Sequence, residues 1–142
     1  MSDELQIDQD RALVDLAASK LLKTAAGAVQ ETDRTRYMQS TTRGSKTLVV
    51  VDDVERPSCV IEVFAPRYEF VLEYLALFAS PKVGWVIGTW LASVSTGWGE
   101  VPPGERHHAL RVAAELLKVE KRDLGFGRHQ WVPIRAAAGK VA

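Results

Sequence analysis

Between positions 82 and 99 the chain reads KVGWVIGTWLASVSTGWG, and this stretch holds three of its four tryptophans, Trp85, Trp90 and Trp98. At about 100° per residue, Val83, Val86, Ile87, Trp90, Leu91 and Val94 share one broad apolar face of a helix. Gly84, Gly88, Ala92 and Ser95 gather on another face, roughly opposite. Two glycines inside a helix cost about 1 kcal/mol each relative to alanine, so a closely packed neighbour must offset them. The spacing predicts a two-sided core helix over 83–95, with a second helix on its smooth side. A strand over 83–87 is the competing reading, because Val83, Trp85 and Ile87 alternate. The wheel puts Trp90 in the core and Trp85 beside the glycines. It leaves Trp98, in a Gly-flanked turn, as the tryptophan for surface contact. The run is too short for a membrane span, which needs roughly 20 apolar residues.

The rest of the chain arranges itself around that helix. Leu13, Val14, Ala17, Ala18, Leu21, Ala25 and Ala28 form one stripe and predict a helix over 8–30, with Asp8 and Asp10 at its positive end. Residues 33–46 are polar and basic, with Gly44 as a turn, and read as a solvated connection. Residues 47–53 and 58–64 are rich in β-branched side chains and read as a hairpin. Pro66 suits the first turn of a helix over 67–80. That helix is apolar almost all round, so it is either largely buried or meets another subunit. A last helix over 105–123 is expected to end on a left-handed Gly125. It bears one stripe of Leu110, Ala113, Ala114, Leu117 and Leu124. A second stripe holds Ala109, Val112, Leu116 and Val119. Two stripes imply two neighbours, one of them a partner chain. Residues 130–135 read as a short edge strand interrupted by Pro133.

A length of 142 residues and a hydrophobic fraction of 46% suit one self-sufficient domain. Its flexible ends are expected at about 1–7 and 136–142. A lone cysteine, Cys59, rules out an intramolecular disulfide and fits a reducing compartment. The acidic opening MSDELQIDQD has no hydrophobic signal core. The formal net charge is zero but unevenly spread. Residues 1–33 hold seven acids and three bases, and residues 101–142 hold eight bases and four acids. Acidic front and basic back can attract each other, within one chain or between copies.

No GxGxxG, Walker or GxSxG motif occurs, and no cofactor or metal is implied. His107 and His108 are adjacent, so their rings diverge by about 100° rather than converging on a metal. His129 could join one of them only through the fold. Cys59 reads as a buried strand residue. Asp52, Asp53 and Glu62 lie on or beside the predicted hairpin, where carboxylates on adjacent strands can hold Mg²⁺. This order of helix, acid-bearing strands and helix is similar to the PD-(D/E)xK nuclease core, over less than a third of the chain. That core has a lysine two residues after its second acid, where this chain has Phe64. The similarity implies metal-dependent phosphodiester cleavage. In the basic third, Arg111, Lys118, Lys121, Arg122 and Arg128 could follow a phosphate backbone, with Trp131 for stacking. A helix followed by a turn and a strand there resembles part of a winged helix. Glu115, Glu120 and Asp123 interrupt the patch.

The sequence thus predicts a mainly helical α+β domain, with about four helices, a β-hairpin and a third short edge strand. The leading functional expectation is a small, non-catalytic, cytoplasmic interaction protein. It would be an accessory, regulator or inhibitor of the kind found on phage and mobile elements. It would meet a protein partner or a second copy through Trp98, Val112, Leu116 and Val119. Nucleic-acid binding through the basic third is the alternative, and nuclease activity at the hairpin acids is the second alternative.

Overall fold

A computed structural model describes residues 2–32, 39–43, 47–51, 59–64, 69–78 and 80–134. The fold is α+β and mainly helical. Its elements run α1 (Ser2–Thr32), β1 (Gln39–Arg43), β2 (Thr47–Val51), β3 (Cys59–Phe64), α2 (Glu69–Leu77), α3 (Pro81–Thr96), α4 (Pro103–Leu117), β4 (Val119–Gly125) and β5 (Arg128–Pro133). They fall into two compact units. A central unit spans Leu21–Gly88, and a terminal unit takes the chain up to Lys20 and from Thr89 onward.

In the central unit β1, β2 and β3 form an antiparallel sheet in that order. The apolar run Leu48-Val49-Val50-Val51 falls on the middle strand, paired on both edges, as its composition requires. β1 corrects the expectation of an irregular connection over 33–46. The pairing of Gln39–Arg43 with β2 recruits Thr41 and Thr42, whose branched side chains favour extended backbone. An edge strand needs no apolar run, which is why the sequence pattern concealed it. α2 lies against β1 and β2.

α3 opens at Ser80-Pro81. The Lys82 amide donates to Ser80 Oγ at 3.3 Å, and Pro81 occupies the first turn where no amide donor is needed. The smooth face of α3 seats α1. A Cβ on Gly84 would lie 3.4 Å from Leu21 Cδ1 and 3.7 Å from Ala25 Cβ. A Cβ on Gly88 would lie 2.8 Å from Leu22 Cγ. The glycine column is therefore a close-packing device, and the helical reading of this stretch holds.

In the terminal unit the core comprises Val14, Ala17, Ala18, Leu91, Val94, Trp98, Ala109, Ala113 and Ala114. The small alanines let helices approach closely, while Leu91 and Val14 supply the largest fully buried side chains. Buried Ser95 donates its hydroxyl to Asp15 at 3.4 Å. α1 is helical from Ser2.

Two expectations for the terminal unit are overturned. First, Trp98 is only 5% exposed and cannot be a docking surface. The turn around it is closed by hydrogen bonds from the Gly97 amide to Ser93 O and from the Glu100 and Val101 amides to Gly97 O. These fold the indole inward, with the Arg106 guanidinium 5.8 Å from the ring centroid. Second, α4 stops at Leu117 rather than near Asp123. Lys118 is the left-handed cap, with φ 56°, and its amide reaches Ala114 O and Glu115 O. Residues 119–125 form β4, which pairs with β5 as a separate hairpin rather than extending the first sheet. Consequently Val119 and Leu124 leave the helical stripes on which the sequence placed them.

Candidate functional surfaces

Where the hairpin meets α1, three side chains converge on one carboxylate. Asp10 Oδ1 accepts from Trp131 Nε1 at 2.9 Å, from Gln6 Nε2 at 3.0 Å and from His129 Nε2 at 2.9 Å. Gln6 Oε1 accepts the His129 backbone amide at 2.9 Å, which fixes the orientation of the Gln6 amide. The His129 and Trp131 rings meet edge-on at 5.4 Å. His129 and Asp10 are only 11% and 13% exposed. With Asp10 as carboxylate, the hydrogen on His129 Nε2 points to it. The 3.0 Å contact between Gln6 Nε2 and the same ring nitrogen then places two donors side by side, both directed at Oδ1. Among the described residues this network contains no hydroxyl or thiol nucleophile. It is a clamp of β5 onto α1, and it occupies Trp131, which is therefore not available for stacking on a base.

No sequence motif announces the clamp, since its partners stand 119 to 123 positions apart. The one local signal is the alternation in β5, where His129 and Trp131 are half-buried between exposed Arg128 and Gln130.

The second feature is the outer face of α2. Phe70, Val71, Tyr74, Leu75, Leu77 and Phe78 are all exposed, Phe70 to 83% and Leu77 to 70%. At about 100° per residue they occupy a single sector of roughly 160°. Tyr74 and Phe78 are in ring contact at 5.0 Å. Trp85 and Val86 on α3, in the same unit, are exposed as well. This answers the choice posed by the sequence: the helix is not largely buried. The residues expected to meet a partner, Val112 and Leu116 on α4 and Val119 on β4, are half-buried instead.

The third feature is the β4–β5 hairpin. Gly125 pairs with Arg128 across a two-residue turn, Phe126-Gly127, in which both residues have positive φ, 57° and 73°. That is the pattern of a type I′ turn. Gly127 adopts it freely, whereas a bulky residue there costs about 1–2 kcal/mol. The Asp123 carboxylate accepts the Gly125 amide at 2.8 Å and braces the turn. Arg111, Lys118, Lys121, Arg122 and Arg128 are all exposed. They form no helical strip, because only Arg111 is on α4. Directly paired residues share a face of an antiparallel ribbon. Lys121 opposite Trp131 and Asp123 opposite His129 therefore lie on the face that meets α1. Arg122 opposite Gln130, and Arg128 two residues from Gln130, lie on the other face. Of the acids expected to break the basic patch, Asp123 is thus on the far side of the ribbon, whereas Glu120, opposite Val132, shares the face of Arg122 farther from the tip.

Asp52 and Asp53 lie outside the described residues, as do Arg135 and the side chains of Glu62 and Cys59. The β3 backbone places Glu62 opposite Val49 on the middle strand. His107 and His108 are exposed on α4 with ring centroids 6.1 Å apart. Among the described residues no group of three or more His, Cys, Asp or Glu side chains is placed to hold a metal ion. No described helix is long and apolar enough to cross a membrane. Compared with protein-family models, curated proteins and solved structures, the chain matches none.

Proposed function

We propose that the chain is a small, non-catalytic interaction protein of the cytoplasm that docks a protein partner, or a second copy of itself, through the outer face of α2. The supporting observation is the run of exposed Phe70, Val71, Tyr74, Leu75, Leu77 and Phe78 along that face. Contiguous apolar surface of this kind is costly in water and marks interaction sites. Aromatic side chains supply most of it, and aromatics dominate the energetics of docking. An accessory, regulatory or inhibitory role of the kind found on phage and mobile elements suits a small chain that presents such an apolar face. The test pairs the double variant Phe70→Lys/Tyr74→Lys with the unmodified chain. Association, read by sedimentation and by affinity purification from the native cell, is expected to disappear in the variant, with helical content unchanged. A wild-type chain that remains a strict monomer at high concentration and brings down no protein ends this reading.

A second reading is favoured by the exposed Arg122 and Arg128 on one face of the hairpin near its tip. Nucleic acid would contact the ribbon face bearing Arg122 and Arg128, with Lys118 and Arg111 nearby in sequence. Binding that weakens with added salt, and that is lost when Lys118 and Arg122 are changed to Glu, is the expected outcome. Binding indifferent to both salt and these changes would exclude it.

A further inference from the structure

We propose that the tip of the β4–β5 hairpin is a stacking finger for single-stranded nucleic acid, in which Phe126 lies on an unpaired base while Arg128 and Arg122 hold the flanking phosphates. The proposal rests on the nucleic-acid reading above and gives it a mechanism.

Phe126 is fully exposed and adopts φ 57°. Both conditions work against the fold. A large apolar ring gains nothing from water, and the first central position of this turn is suited to Asn, Asp or Gly. No described side chain packs on the ring, so the fold offers no return for the strain. A residue doubly unfavourable in the free protein, and rigidly presented at the end of a clamped ribbon, is poised for a ligand. One face of that ribbon is pinned to α1 by Asp10, Gln6, His129 and Trp131, so the tip is presented without a large entropic penalty.

The chemistry around the ring narrows the ligand. Arg128 is the first strand residue after the turn, two residues on from Phe126. Arg122 follows on the same face, two residue pairs farther down. Like charges in neighbouring positions on one face of a ribbon repel, and neither guanidinium has a side-chain partner among the described residues. Two unpaired forks beside an exposed ring fit phosphates flanking a stacked base. A duplex fits less well. Prising apart a base step is costly, and architectural proteins that do so recover the cost over a wide wrapped surface. One ring and two arginines provide no such surface.

The full-length protein is titrated against a fluorescein-labelled oligothymidylate, with anisotropy as the readout, and unlabelled single strand and duplex compete for it. Four proteins are compared: wild type, Phe126→Gly, Phe126→Trp and Arg122→Glu/Arg128→Glu. Glycine suits the turn, so Phe126→Gly keeps the hairpin and removes only the ring. Wild-type binding that weakens with salt is expected, with Phe126→Gly weaker by about tenfold or more. Phe126→Trp is expected to bind at least as well as wild type, and the double charge reversal to abolish binding. Single strand should compete far better than duplex. If Phe126→Gly binds like wild type while charge reversal abolishes binding, the stacking finger is overturned and the broader nucleic-acid reading stands. If duplex is the stronger competitor, the assignment to unpaired bases is overturned. If wild type does not bind at any salt concentration, both fall together.

Discussion

At the scale of single residues, two glycines of one helix make opposite predictions. Gly84 and Gly88 stand one turn apart on the same face of α3. A Cβ at Gly84 would meet its nearest neighbour, Leu21 Cδ1, at 3.4 Å, an ordinary contact with the end of a flexible side chain. Gly84→Ala then gains helix propensity and should stabilise the protein by up to about 1 kcal/mol. At Gly88 the Cβ would be 2.8 Å from Leu22 Cγ and 2.9 Å from Cδ2, with the Leu22 backbone nitrogen at 3.4 Å. The branch point of Leu22 cannot swing aside as a methyl tip can. Overpacking of this kind costs about 1–3 kcal/mol. Net of propensity, Gly88→Ala should lower stability by up to about 2 kcal/mol, a fall in melting temperature of up to about 8 °C. Scanning calorimetry on the two single variants reads both signs. Equal and positive shifts would show that α1 does not press on the glycine column.

At the scale of elements, the hairpin depends on a carboxylate contributed by α1. Asp10→Ala leaves the Trp131 indole N–H and the His129 ring without their shared acceptor. Hydrogen bonds to a charged group are worth about 1.5–3 kcal/mol, and abandoned donors add to the loss. Urea titration should therefore show Asp10→Ala destabilised by about 2–4 kcal/mol. Trp131→Phe keeps the ring and removes one donor, and should cost about 1 kcal/mol. The double variant should lose less than the two single losses combined, because the two groups share one contact. Strict additivity would mean the clamp is not a unit.

The same elements show where the sequence was legible. The wheel of α3 was readable because its apolar and small residues repeat at a helical period and their neighbours share one helix. The last helix was drawn six residues too long because Leu116 and Val119 are spaced as helix neighbours, while β4 has only one half-buried position, Val119, to betray its own period. Phe126-Gly127 gave no conventional hairpin signal, since an aromatic occupies the place where Asn or Asp is expected. The clamp was invisible because a single Asp, an early Gln and a late His and Trp carry no pattern until the fold brings them together. Trp98 was misplaced because a glycine-flanked tryptophan looks the same whether its turn opens outward or closes inward.

At the scale of the whole molecule, two forces could drive self-association, and salt separates them. The chain has zero formal net charge and a pI of about 6.8, so near neutral pH little overall repulsion opposes association. One candidate force is attraction between the acidic first 33 residues of one copy and the basic last 42 of another. Within one chain the Asp10 carboxylate is already engaged by hydrogen bonds from His129 and Trp131. The other force is removal of the α2 face from water. Charge attraction between exposed groups is screened over about 10 Å at ordinary ionic strength and fades as salt rises. Apolar association persists, and strengthens in sulfate. Sedimentation velocity at low and high salt is expected to show a self-association that survives high salt and disappears with Phe70→Lys/Tyr74→Lys. Dissociation at high salt, with no effect of these two substitutions, would instead assign the contact to the segregated charges and leave α2 to a different protein partner. The apolar face has the larger claim. Five large side chains exposed on a helix of nine residues, with Phe78 just beyond its end, forgo burial worth roughly 1.5–3 kcal/mol each, whereas exposed ion pairs return about 0–1 kcal/mol apiece.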